Sequence, residues 1–144
     1  MITLDDVDMQ ILEMLEEDAR RSFIKIAKKL GVSEATIRKR VLKMQRDGVI
    51  KKFTIKVDPE KLGIGTVAIV GIETDPTKLL EIAQKLCDSK EIKCVATSTG
   101  DHMIMTEIWA RNGRELTKLI SEKIEALEGI KRICPAILLE KLKE

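Results

Sequence analysis

The chain has 144 residues, 44% of them hydrophobic and 35% charged, with a net charge of +2. That apolar fraction is enough for a packed core and excludes global disorder, and no apolar run reaches the roughly 20 residues of a bilayer span. The small net charge hides a segregation. Residues 1–18 hold seven acids and no Lys or Arg, residues 20–56 hold thirteen bases and two acids, and residues 58–144 hold thirteen bases and fifteen acids. Positive charge gathered in one segment points to a local anionic partner.

Asp5 or Asp6 caps a first helix whose apolar stripe is Val7, Ile11, Leu12, Met14 and Leu15, ending at Glu16-Glu17-Asp18. A shorter second helix runs from its cap Ser22 through Ile24, Ile26, Ala27 and Leu30. Gly31 ends it, because glycine accepts the left-handed backbone common just past a helix. Ser33 caps a third helix that continues to about Asp47, with Gly48 as its stop. Helices joined by the short turn Gly31-Val32-Ser33 have the pattern of a helix-turn-helix unit. The run VIKKFTIKVDP then places Ile50, Phe53, Ile55 and Val57 so as to predict a short hinge strand before Asp58-Pro59.

From residue 66 the periodicity changes. The stretch TVAIVGIET (66–74) reads as a buried strand ended by Asp75-Pro76, and residues 77–89 as a helix with Leu79, Leu80, Ile82, Ala83 and Leu86 inward. Residues 92–99 form a second strand, Gly100-Asp101 a turn, and 103–110 a third strand. Residues 113–127 form a helix with Leu116, Leu119, Ile120, Ile124 and Leu127 inward. The last strand covers 130–139, with Pro135 at an edge or bulge because it has no N–H to give. The order βαββαβ is the ferredoxin-like plan, two helices on one face of a four-stranded antiparallel sheet. Apolar residues on the uncovered face predict a second copy of the chain stacked against it. The fold class is therefore α+β: a helix-turn-helix domain at 1–52, a hinge strand and linker at 53–65, and a βαββαβ domain at 66–144.

The third helix carries the charge. At roughly 100° per residue, with Ile37 inward, Val41 and Met44 lie beside it while Ala35, Lys39, Lys43 and Arg46 point away. Such a helix fits the major groove of double-stranded DNA. Ser33, Glu34, Ala35 and Thr36 at its start would meet base edges. Lys39, Lys43 and Arg46 would neutralise phosphates, and Arg38 suits either role. The competing reading is a solvated charged face. Against it stand the turn, the clustering of charge and the scarcity of acids at i+4 positions.

Other chemistry is thinly represented. Cys87, Cys94 and Cys134 form no CxxC pair, so reduced and mostly buried thiols are expected, with no metal and no cofactor. No nucleophile with a base, no recognisably spaced carboxylate pair and no phosphate-cradling glycine loop is present, so no catalytic residue is assigned. His102, the sole histidine, reads as a surface or interface residue, and Trp109 as part of the sheet packing or dimer contact. An amino-acid-binding regulatory subunit or small metabolic enzyme with a ferredoxin-like domain is the alternative function. RNA binding through the sheet ranks last, because it needs exposed aromatics and the chain has two Phe, one Trp and no Tyr. The acidic start MITLDDVDMQ does not read as a secretion signal, so a cytoplasmic location without membrane contact is expected.

Leu4-Asp5-Asp6-Val7-Asp8-Met9-Gln10-Ile11-Leu12, followed by IAKKLGVSEATIRKRV, DGVIKKFTIKVDPEKLG and STGDHM, resembles the Lrp/AsnC (leucine-responsive, feast/famine) family of prokaryotic transcription regulators, most closely its archaeal members. The resemblance spans essentially the whole chain. It implies a DNA-binding, autoregulatory protein whose βαββαβ domain dimerises through its sheet and assembles into tetramers or octamers. It also places an amino-acid effector near the turn after the second strand, between sensor domains of neighbouring dimers. Thr99, Gly100, Asp101 and His102 match that motif, and Met103 stands where many effector-responsive relatives carry a second acid.

Overall fold

The computed structural model describes residues 3–143, which form two compact units divided after Lys56. The first unit contains α1 (Asp6–Glu17), α2 (Phe23–Leu30) and α3 (Glu34–Arg46). α1 starts with a reciprocal cap: Asp5 accepts from the Asp8 backbone N–H at 2.9 Å, and Asp8 accepts from that of Asp5 at 3.2 Å. α2 opens on Ser22 and closes on Gly31 at a φ of 67°, where a side chain would be strained. The predicted stripes meet in one core: Ile11, Met14 and Leu15 from α1, Ile26 and Ala27 from α2, and Ile37, Val41 and Met44 from α3.

Within the single chain the predicted hinge strand does not form. Residues 51–57 have no regular structure, and Phe53, Ile55 and Val57 are exposed. A strand exists only by hydrogen bonding to a neighbour, and alternating side chains do not provide one.

In the second unit β1 (Thr66–Thr74), β2 (Ile92–Thr97), β3 (Ile104–Ala110) and β4 (Ile130–Ile137) form one sheet in the order β2-β3-β1-β4. All its pairings are antiparallel, with Thr66 opposite Ala110 and Ile72 opposite Ile104. α4 (Leu79–Cys87) and α5 (Gly113–Ile120) supply the layer that buries Ile72, Ile104, Ile108, Ile82, Leu86 and Leu116. The two halves break alike, Asp75 capping the turn that leads into α4 and Asn112 capping α5. Pro135 lies on the edge strand β4 opposite Val70, as its missing donor requires.

Three expectations need correction. The helix read to residue 127 stays α-helical only to Ile120 and widens into a π-helical turn at Ser121–Glu125. Leu80, read as inward, is exposed, because about 200° of helix rotation separates it from buried Ile82. The cysteines are free but not buried. Cys87, at the end of α4, and Cys94, on the edge strand β2, are exposed, and Cys134 is half-buried.

Candidate nucleic-acid interface

α3 is held at both ends of its exposed face. The Ser33 hydroxyl oxygen accepts from the Thr36 backbone N–H at 3.1 Å and lies 2.8 Å from the Thr36 hydroxyl. This satisfies a donor that the helix start leaves open. Ile37, Val41 and Met44 are buried, whereas Ser33, Ala35, Arg38, Lys39, Lys43 and Arg46 are exposed, and Glu34 and Thr36 are half-buried. All eight residues assigned to DNA from the sequence lie on α3 or at its cap; Ala35, Lys39, Lys43 and Arg46 face away from the packed side, Thr36 and Arg38 flank it, and Glu34 lies near it. Thr36 differs in one respect from that reading, since its hydroxyl is engaged by Ser33.

The cations are not bare. Arg38 pairs with Glu34 at 2.6 Å and lies over the Phe23 ring, 5.6 Å from its centroid. Lys43 and Arg46 both reach Asp47, at 2.9 and 3.4 Å. Their hydrogen bonds keep the Asp47 carboxyl below the ordinary aspartate value, Lys43 contributing most, with burial opposing. The sequence argument from scarce i+4 acids thus needs correction: the segment has only two acids, and both take that spacing on α3. Lys39 has no ion pair among the described residues.

Arg40, to which the sequence assigns no DNA contact, is engaged within the helical unit. Its Nη1 lies 2.8 Å from Asp5 and 2.8 Å from Asp8, tying α3 to the start of α1. Those bonds, the one to Asp8 first, raise the guanidinium pKa. The helical angle held the signal, because Arg40 sits about 60° from Ile37 and so beside the packed face.

The second candidate site divides. Thr99, Gly100 and Asp101 are exposed in the loop between β2 and β3, where Gly100 has a φ of 101°. Ser98 closes the loop, its N–H donating to the Met103 carbonyl at 2.9 Å and its hydroxyl to the His102 carbonyl. His102 is turned instead onto the sheet face away from the helices, its ring over Gly71 and its Nδ1 buried without a hydrogen bond. Among the described residues no cluster of three or more His, Cys, Asp or Glu is arranged to hold a metal, and no helix is long and apolar enough to cross a membrane.

Residues 4–45 match the AsnC-type helix-turn-helix domain and residues 67–144 the Lrp/AsnC ligand binding domain. The chain is 49% identical over 140 residues to the HTH-type transcriptional regulator LrpA of Pyrococcus horikoshii, covering 97% of this chain and 99% of that protein. It is 34% identical to LrpA1 of Halobacterium salinarum over 99% of this chain and 100% of that one. Its fold superposes on E. coli AsnC with a TM-score of 0.89 at 28% identity, covering 99% and 97% of the two chains.

Proposed function

We propose that this chain, which belongs to the Lrp/AsnC family of transcriptional regulators, binds its operators by laying α3 in the major groove. Ser33, Glu34, Ala35 and Thr36 meet base edges, Lys39, Lys43 and Arg46 meet phosphates, and Arg38 serves either contact. One observation carries this reading: α3 buries Ile37, Val41 and Met44 while exposing Ala35, Lys39 and Arg46 on its far side. Residues 1–52 are the DNA-binding domain, 53–65 the hinge and 66–144 the sensing and oligomerising domain. The protein works in the cytoplasm as a regulator and not as a catalyst.

Two identical subunits suit half-sites one helical turn apart. The sheet face away from α4 and α5 supports such pairing, since register places Val67, Ile69, Met105 and Trp109 together on it. Dimers assemble further into tetramers or octamers. An amino-acid effector bound beside Thr99, Gly100, Asp101 and His102 adjusts that assembly, and the chain's own promoter is among its targets.

Fluorescence anisotropy on a duplex from its own promoter and on a random duplex, across a salt series, tests this. Binding weakens steeply with salt, and Lys39→Ala weakens it on both duplexes with a slope shallower by about 1. Equal wild-type affinity for the two duplexes would defeat sequence-specific regulation.

A further inference from the structure

We propose that Asp47 is an internal competitor for DNA phosphate, holding Lys43 and Arg46 in the free protein and limiting affinity for every duplex; this rests on reading α3 as the DNA-facing helix.

Residues 20–56 contain thirteen bases and two acids, and both acids pair with cations assigned to DNA. Asp47 uses its two oxygens separately: Oδ2 accepts from Lys43 Nζ at 2.9 Å and Oδ1 from Arg46 Nε at 3.4 Å. One oxyanion bridging two cations is the arrangement a backbone phosphate offers with its two free oxygens. Binding DNA at these side chains therefore exchanges one oxyanion for another.

Helix stability does not account for the aspartate. Asp47 is the C-cap of α3, at the negative end of the helix dipole, where a carboxylate is disfavoured and cations are favoured. The capping itself is done by the backbone, whose Asp47 N–H donates to the Lys43 carbonyl at 2.8 Å. The Lys43 and Arg46 side chains are 52% and 75% exposed against 23% for Asp47, and pairs with two such solvated cations add little to folding. Their consequence falls on binding, because each must be surrendered or shared when a phosphate arrives. Phosphates carry no sequence, so the penalty is uniform over all duplexes. Asp47 thereby sets how tightly the regulator holds any DNA without changing which DNA it prefers.

The test is anisotropy of the full chain on a random duplex over a salt series. Asp47→Asn is expected to tighten binding roughly 3- to 10-fold at low salt. It should also steepen the dependence of log K on log salt by about 0.9, as one more net positive charge faces the DNA. Asp47→Ser, a second neutral variant, should behave alike, and Asp47→Glu should stay near wild type. In a Lys43→Met/Arg46→Met background, Asp47→Asn should change affinity by less than about 2-fold, since no pair remains to release. Thermal unfolding and far-UV circular dichroism report whether each variant is folded. Neutral variants that fold yet bind no tighter overturn the proposal alone. Tightening that persists undiminished without Lys43 and Arg46 also overturns it, because the carboxylate would then act only through net charge. A wild-type chain without salt-dependent duplex binding overturns the reading of α3, and this proposal with it.

Discussion

Gly71 occupies the middle of β1, where glycine weakens a strand and packs no side chain. The His102 ring explains its place: a Cβ at Gly71 would lie 2.6 Å from Cγ and 2.7 Å from Cδ2 of that ring. Gly71→Ala should therefore destabilise the chain by about 1–3 kcal/mol, the usual range for overpacking. His102→Ala in the same chain should recover most of that loss. Chemical denaturation of both single variants and the double variant measures the coupling, and a Gly71→Ala chain as stable as wild type would refute the contact. Little of this was legible in the sequence. TVAIVGIET marks Gly71 only as part of a buried strand, and the lone histidine reads as a surface or interface residue. What joins them is the path of the loop before β3, which carries the His102 ring back over Gly71, a long-range fact with no local signature.

Among the elements, what the sequence revealed depended on whether the cause was local. Caps and stops are plain at Ser22, Gly31 and Ser33, because each acts on the backbone within a few residues. The hinge segment pairs with nothing inside the single chain, because a strand's cause lies in its neighbour, and the Arg40 clamp leaves no local mark because it joins α3 to α1. Both local and non-local supports can be tested. Ser33→Ala removes the α3 cap and should cost about 1 kcal/mol of stability in thermal melts, whereas Ser33→Asp should cost much less. The clamp should respond to acid. The Asp5 carboxyl is held below its ordinary pKa, first by the Asp8 backbone N–H and then by the Arg40 guanidinium. A carboxylate depressed on folding stabilises fully above its unfolded pKa, about 3.9, and that contribution fades as pH falls through the folded value. Stability should thus drop as pH falls below about 4, and Arg40→Met should flatten part of the drop in denaturation midpoints followed by far-UV ellipticity. An acid profile unchanged in Arg40→Met would show that the clamp does not hold α1 to α3.

At the scale of the whole molecule, the ferredoxin-like plan leaves one sheet face without a helical cover, and on the proposed pairing a second copy of the chain covers it. Val67 and Ile69 of β1 and Met105 and Trp109 of β3 project there, only half-buried within one chain. The Trp109 indole N–H is already satisfied by Glu107 at 2.7 Å, and Lys93 lies 5.4 Å from the ring centroid, so its polar edge is settled while its apolar surface remains available. Two such faces brought together remove apolar area from water on both sides at once, and the same patch serves each partner, as a twofold contact requires. Glu107, opposite Ile69 on this face, is already held by Trp109 and Lys141, so a carboxylate at Ile69 would be buried beside a like charge, which is costly enough to separate the subunits. Ile69→Asp should therefore convert the chain to a folded monomer by light scattering, with Trp109 emission shifted to the red. Since Trp109 is the only tryptophan, that shift reports this face alone. Separated subunits would each hold one α3, losing the second half-site and the high effective concentration at which it is met. Affinity for a two-half-site operator should fall on the order of 100-fold, while the salt-dependent hold on a single half-site remains. An Ile69→Asp chain that stays dimeric and keeps its operator affinity would place the subunit contact elsewhere on the molecule.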